Sequence, residues 1–209
     1  MAAKLSEAVV RRLPVYYRHV CELQKEGVEC ISSQELSERL GYTASQIRQD
    51  ISAMGATGVQ GSGYTINLLR AHLETLMGLD SFHTMIIVGA GNLGRAVAHS
   101  VSFRDLGFET IGIFDNNPDK LGWDIGSLTV RPASQMEAFV RENPVDIAVL
   151  TVPRECTQEI VDRLVRCGVR AFWNFAPLDV KVPKGTSLVN VHLDEGLEVL
   201  SYRMRHTDR

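Results

Sequence analysis

Val88-Gly89-Ala90-Gly91-Asn92-Leu93-Gly94 decides how the second half of the chain folds. Glycine spacing of the GxGxxG kind is weak evidence alone, but here Met85-Ile86-Ile87-Val88 precedes it as a short apolar strand and Asn92 to Val101 reads as a helix. In that setting Gly89 permits a tight turn, Gly91 lets the backbone approach a pyrophosphate, and Gly94 lets helix and strand pack closely. The turn Gly89-Ala90-Gly91-Asn92-Leu93-Gly94 then presents unpaired N–H groups and the positive end of a helix dipole to phosphates. The alternative is a glycine turn that merely joins strand to helix. Asp115 closes the following strand, Thr110 to Phe114, 21 residues after Gly94. A carboxylate there accepts hydrogen bonds from adenosine ribose hydroxyls and repels a 2′-phosphate, which favours NAD(H) over NADP(H). Its alternative role is to cap the Asn116-Asn117-Pro118 turn. Lys120 reads as an exposed lysine near the adenosine end.

Working outward, Asp146 to Val152, Val169 to Phe175 and Ser187 to Val191 are further apolar strands, with a helix at 155–167 between the first two. Apolar strands alternating with helices imply a parallel sheet covered on both faces, an α/β fold of Rossmann type. Thr151-Val152-Pro153 and Asn174-Phe175-Ala176-Pro177 leave strands at their carboxyl ends, where such sheets bind ligands, and are candidates for the nicotinamide half. Trp173 and Phe175 alternate onto one face, which reads as core. His83, His99, His192 and His206 have no partner at catalytic spacing, and no sequence is left for a substrate domain, which favours binding over catalysis. Leu193 to Met204 is a last helix whose stripe of Leu193, Leu197, Leu200 and Met204 needs a partner.

Before a boundary near Gly78-Leu79-Asp80-Ser81 the patterns are helical. Residues 6–26 carry apolar side chains at three-to-four spacing, with Pro14 either kinking the run or marking its true start. Ser32 with Glu35, and Thr43 with Gln46, are capping boxes that open two short helices, separated at Gly41. Three helices with a glycine turn between the last two make a helix-turn-helix pattern. Gly55, Gly58, Gly61 and Gly63, followed by Tyr64, read as the tight hairpin wing of a winged helix. A linker helix over 67–78 has Leu68, Leu69, Leu73, Leu76 and Met77 on one side. In the second capped helix Ala44, Ile47, Ile51 and Met54 form the buried stripe, turning Ser45, Gln46, Arg48 and Gln49 outward. Side chains near the start of such a helix enter the DNA major groove, arginine pairing with guanine and glutamine with adenine. A solvated polar face is the plainer alternative.

Composition bounds these readings. The 209 residues are 44% hydrophobic and 22% charged, an ordinary globular balance, with no run of apolar residues long enough for a membrane span. The first twelve residues lack a signal-peptide core, so a cytoplasmic protein is expected. Cys21, Cys30, Cys156 and Cys167 form no CxxC pair, no His/Cys set has zinc spacing, and the thiols read as buried or inert. Net charge is −3, and residues 1–80 hold eight Lys/Arg against nine Asp/Glu, so any DNA surface is a local patch. Lys4, Arg11, Arg12 and Arg18, with Glu7 as the only acid among them, form one.

Together the two halves resemble the Rex family of redox-sensing repressors. The resemblance rests on Arg12-Leu13-Pro14-Val15-Tyr16-Tyr17, Ile31-Ser32-Ser33, Glu35-Leu36-Ser37, Thr43 to Asp50, Gly61-Ser62-Gly63-Tyr64, Val88 to Gly94, Thr151-Val152-Pro153 and Asn174 to Pro177. It implies an all-α winged-helix domain over 1–80, a Rossmann domain binding NADH and NAD+ over 81–191, and a dimerisation helix over 192–209. It further implies a homodimer that swaps this helix into its partner, represses fermentative and respiratory genes from operator DNA, and releases DNA as NADH rises. Three departures stand out. Family members often carry basic wing residues where this chain has Val59-Gln60. A Tyr in the first Rossmann helix and an Asp before the C-terminal helix, which pair during switching, correspond here to Ser100 and His192, and a following Phe to Leu193. Cofactor coupling then uses different contacts or is weaker. Two other readings stay open: a small NAD-dependent oxidoreductase with a helical extension, and a CoA- or nucleotide-binding interaction module without DNA affinity.

Overall fold

The computed structural model describes residues 5–58 and 63–206. The chain forms two compact units, Met1–Ser81 and Phe82–Arg209. Lys4 and the Val59, Gln60, Gly61 and Ser62 segment of the expected wing lie outside the described residues.

The first unit begins with α1 (Glu7–Lys25), capped by Ser6, whose hydroxyl accepts from the Val9 N–H. Pro14 does not start this helix but lies inside it. It sits on the exposed side, while Val9, Leu13, Tyr16, Val20 and Leu23 pack the opposite face and carry the helix across it. Next come β1 (Cys30–Ile31) and α2 (Ser33–Leu40), where Ser32 and Glu35 make both bonds of a capping box. At α3 (Ala44–Met54) the cap is the single bond from the Gln46 N–H to the Thr43 hydroxyl, 3.1 Å. β2 covers Tyr64–Thr65. It pairs antiparallel with β1, Ile31 opposite Tyr64, and a Cβ at Gly63 would overlap the Ile31 carbonyl. α4 (Ile66–Met77) buries Ile66, Leu69 and Leu73, but Leu68 and Leu76, expected on the same side, are exposed.

In the second unit, β3 (His83–Val88) is followed by α5 (Asn92–Ala98) and α6 (Val101–Asp105), not by one helix. Extended backbone at Ser100 breaks the run, and Phe103 then meets Trp173 edge-on at 5.5 Å. β4 (Phe108–Asp115) leads through a 3-10 turn at Pro118–Lys120 into β5 (Asp124–Ile125), β6 (Leu128–Pro132) and α7 (Met136–Glu142), three elements the sequence pattern did not announce. β7 (Ile147–Leu150), α8 (Arg154–Arg166), β8 (Ala171–Asn174), β9 (Ser187–Asn190) and α9 (Glu195–His206) complete the unit.

The seven strands run in the order β5-β6-β4-β3-β7-β8-β9, parallel throughout except for β5 on β6. Along β3, Ile86 and Val88 enter one core while Met85 and Ile87 enter the other, so both faces are covered and the strand is apolar from Met85 to Val88. Strand order reverses at β3, and ligands of such sheets bind at the carboxyl ends beside that reversal. Trp173 and Phe175 are half-buried against one core, ring centroids 4.6 Å apart. The four thiols are free, Cys30 exposed and the other three half-buried. No helix among the described residues is long and apolar enough to cross a membrane.

Candidate functional site: a nucleotide cleft and a DNA-reading helix

The turn after β3 is shaped by what its glycines leave out. Gly89 has φ +104°, and a Cβ there or at Gly94 would strike, respectively, the Thr151 carbonyl or the Gly89 carbonyl. A Cβ at Gly91 would meet nothing within 4 Å, so this is the open side of the turn. Gly91 is also the N-cap of α5 and supplies no side-chain cap, which leaves the first N–H groups of the helix facing that opening. Thr151 braces the turn from β7, its hydroxyl donating to the Gly89 carbonyl at 2.8 Å and the Val88 carbonyl at 3.2 Å.

The opening is a cleft of about 820 Å³ between the glycine turn, the end of β4 and the turn after β7. Of the residues expected at the cofactor, Gly89, Gly91, Asp115, Thr151, Val152 and Pro153 line it. Ala90, Leu93 and Gly94 build the turn from behind, and Asn92 is exposed at the start of α5. Asn174, Phe175, Ala176 and Pro177 do not line the cleft. Asn174 is fully buried: its carbonyl accepts from the Ala176 N–H at 3.1 Å and its amide donates to the Leu178 carbonyl at 2.8 Å, so it shapes the loop that holds Phe175 and Pro177.

Asp115 caps the turn and also lies at the edge of the cleft. One carboxylate oxygen accepts from the Asn117 N–H at 2.7 Å, capping the turn. The other accepts from the Ala90 N–H at 2.6 Å and from Lys120 Nζ at 3.0 Å, at the edge of the cleft. Burial pushes its pKa up, but the Asn117 and Ala90 N–H groups and the Lys120 ammonium outweigh this and hold it below the usual carboxylate range. Lys120 is therefore no free surface lysine. The signal lay in Asn117-Pro118: Asn117 caps the 3-10 turn and Pro118 opens it, folding residue 120 back onto the strand end. Sequence reading also missed Ala133, Cys156 and Ile160 as lining residues. The Cys156 thiol donates to the Pro153 carbonyl, and burial pushes its pKa up, so it is held as a thiol.

In the first unit, α3 turns Ser45, Arg48 and Gln49 to solvent and Gln46 halfway. Arg48 donates to the Ser33 hydroxyl at 3.0 Å, which holds its stem along α2, and its charge lies close enough to Tyr64 to oppose the rise that burial gives the phenol pKa. The buried face of α3 contains one charge the periodicity did not flag. Asp50, 4% exposed, takes a bidentate pair from Arg12 at 2.7 and 2.8 Å and a bond from the Tyr16 hydroxyl at 2.7 Å. Burial raises the Asp50 pKa, yet the bonds from Arg12 and Tyr16 bring it below its ordinary value, while burial and Asp50 drive the Tyr16 phenol far upward. This revises the expectation for Arg12: it belongs to a clamp between α1 and α3, where two of its five N–H donors and its charge are engaged by Asp50. Arg11 pairs on the surface with Glu7, and Arg18 is exposed.

Comparison with known proteins fits both sites. Residues 4–52 match the family described as putative DNA-binding protein N-terminus, and residues 80–178 match the CoA binding domain family. The redox-sensing transcriptional repressor Rex of Thermoanaerobacter pseudethanolicus is 47% identical, with 98% of this chain and 92% of the relative covered. That of Clostridioides difficile is 45% identical, with 96% of each covered. Among solved structures, the Rex-family repressor RSP in complex with β-NAD+ and operator DNA is 46% identical over 98% of this chain and 94% of its own, with a TM-score of 0.93. The same repressor with β-NADH gives 45% identity and a TM-score of 0.90, over 98% of this chain and 96% of its own. Two sites on one chain and near-complete coverage by repressors place the protein: it belongs to the Rex family of redox-sensing transcriptional repressors, which are not enzymes.

Proposed function

We propose that this chain represses transcription by holding operator DNA while NADH is low and releasing it when NADH binds. The observation that carries the reading is the open glycine turn, flanked by Asp115, at the point where strand order reverses. NADH and NAD+ share the ADP-ribose half, which the α5 N–H groups and Asp115 hold alike. A phosphate on that ribose meets the Asp115 carboxylate, so NAD(H) is favoured over NADP(H) and over coenzyme A. Discrimination then falls to the nicotinamide, neutral in NADH and cationic in NAD+. A cation is costly to bury beside apolar groups without a counter-charge, and Val152, Pro153 and Ile160 supply such a lining. The loop Asn174 to Pro177 leaves the next strand outside this lining and is not assigned to the ring.

The exposed stripe of Leu197, Leu200 and Met204 on α9, with Leu193 in the turn before it, all between 54% and 81% accessible, supports a homodimer in which this helix packs on a second copy. A two-fold pair presents two α3 helices to a palindromic duplex, where half-site spacing is fixed by the DNA. Ser45, Gln46, Arg48 and Gln49 read bases, Lys4, Arg11 and Arg18 attract phosphate, and the wing residues Gly61, Gly63 and Tyr64 lie beside the backbone. NADH changes the spacing of the two helices and so ends binding. Working on DNA, the protein acts in the cytoplasm.

Linkage makes the test reciprocal: operator must weaken NADH by the factor by which NADH weakens operator. Titrating NADH with and without a palindromic operator, in the dimer verified by ultracentrifugation, should give that common factor. Equal NADH affinities, or a strict monomer, overturn the reading.

A further inference from the structure

Asp50 engages only one edge of the Arg12 guanidinium. Its two bonds, at 2.7 and 2.8 Å, use Nε and one hydrogen of Nη2. A guanidinium carries its N–H donors in a rigid planar fork, so a second edge is left, where one N–H of Nη1 and one of Nη2 run parallel and away from the carboxylate. Among the described residues no hydrogen bond takes that edge. The carboxylate lies beneath and the cation above it: side-chain exposure is 5% for Asp50 and 18% for Arg12. The guanidinium carbon stands 5.9 Å from the centre of the Tyr42 ring. Tyr42 belongs to the turn between α2 and α3, directly before the Thr43 cap, and its carbonyl accepts from the Ser37 hydroxyl of α2 at 2.6 Å. The turn, α1 and α3 thus meet at one arginine.

We propose that the free edge of Arg12 holds a backbone phosphate of the operator, with Asp50 as the positioning residue that aims it. The proposal deepens the function argued above and rests on its placing of α3 in the major groove. In helix-turn-helix docking the first helix of the motif crosses the phosphate backbone and the second enters the groove, so the turn that carries Tyr42 lies against the backbone. Two parallel N–H groups match two phosphate oxygens as they match a carboxylate. An arginine already fixed by a buried carboxylate has little rotamer freedom left to lose when the phosphate arrives. Arg12 and Asp50 are neutral as a pair, so this phosphate is held by direction and not by long-range attraction. Such a contact sets the register of the protein on the duplex.

The experiment scans the palindromic operator with the full-length protein, replacing one phosphate per half-site at a time by a neutral methylphosphonate. The variant Arg12→Met/Tyr16→Phe/Asp50→Leu exchanges the whole buried cluster for apolar side chains of similar volume, a kind of change that folds tolerate. One position should appear at which wild type loses affinity about tenfold, the scale of a charged hydrogen bond, and the variant loses none. At every other position the two should lose alike. A merely structural role would weaken the variant evenly and leave every loss in place. Asp50→Asn tests the same contact from the other side, keeping an acceptor for Arg12 while removing the compensating charge. With a phosphate at Arg12, its plot of log affinity against log salt should steepen by about 0.9 for each half-site. An Arg12 far from the duplex is screened beyond about 8–10 Å and leaves the slope as it was. The two variants disturb the cluster in different ways, so either one that folds, by its melting curve, decides the matter. A triad variant that keeps every wild-type loss, or an Asp50→Asn slope equal to that of wild type, overturns the proposal. Wild type that holds no palindromic duplex overturns the function itself, and this is told apart by appearing before any substitution is made.

Discussion

Two helices of this protein begin at its two candidate sites, and they begin in opposite ways. α3 starts closed: the Thr43 hydroxyl takes the Gln46 N–H, and the helix is fixed from beneath by Arg12 and Tyr16 on buried Asp50. α5 starts open: Gly91 caps nothing, and the helix is fixed by backbone contact, Gly94 against the Gly89 carbonyl and Thr151. A helix that reads bases does so with side chains, so its own backbone is best satisfied internally and its orientation set by a directional clamp. A helix that meets phosphate does so with its N–H groups, so they stay free and close packing sets the orientation instead. One site is held by charge and hydrogen bonds, the other by the absence of side chains. The two should fail differently.

The sharpest way to break this contrast is Asp50→Ala, which leaves Arg12 and Tyr16 buried without their acceptor. Loss of one partner from a buried pair costs about 3–5 kcal/mol, and denaturant unfolding should show that loss with NADH affinity of the surviving fold intact. The pH dependence has a definite sign. Folding holds Asp50 below its unfolded pKa of about 3.9, so its contribution is complete above that value and fades as pH falls towards the folded one. Melting curves from about pH 6 downward should therefore fall more steeply in wild type than in Asp50→Ala across that window. Matching slopes would remove the clamp.

Gly94→Ala attacks the other helix. Its Cβ has no room, and overpacking costs about 1–3 kcal/mol, with NADH binding lost because the turn must open. No pH dependence should accompany it, and a variant that titrates NADH like wild type would show that the turn is not held by contact. Arg48→Ala sharpens the contrast at the surface, costing about 1–3 kcal/mol of operator affinity with no loss of fold. Unchanged gel-shift affinity would mean that α3 is not the reading helix. The smallest effect is expected at Ser32→Ala, about 1 kcal/mol, read in the melting temperature, since Ser32 and Glu35 cap each other at the start of α2.

Local signals made most of this legible. The glycine spacing, the apolar strands and the Ser32 box each depend on a few neighbouring residues, and the elements stand where those residues place them. What escaped was whatever depends on distant chain. Asp50 reads as a surface charge on a helix until Arg12, 38 positions earlier, is seen against it. β2 gives no hint in its own residues that Cys30 and Ile31, more than thirty positions earlier, pair with it. Lys120 was close enough in sequence to Asp115 to be found, but only once the Pro118 turn was recognised as a fold-back. The loop Asn174 to Pro177 carried a signal for a ligand that its buried amide answers first with structure.

By itself the sequence determined the two folds and their family, because hydrophobic periodicity, glycine conformation and helix capping are properties of short segments. The tertiary structure alone decided which cations are free and which are spent, which loops face the cleft, and that the stripe of α9 has no partner within its own unit among the described residues. Those outcomes depend on which polar groups meet across the fold, and desolvation fixes the role of a charged or amide side chain only after its partner has been brought to it.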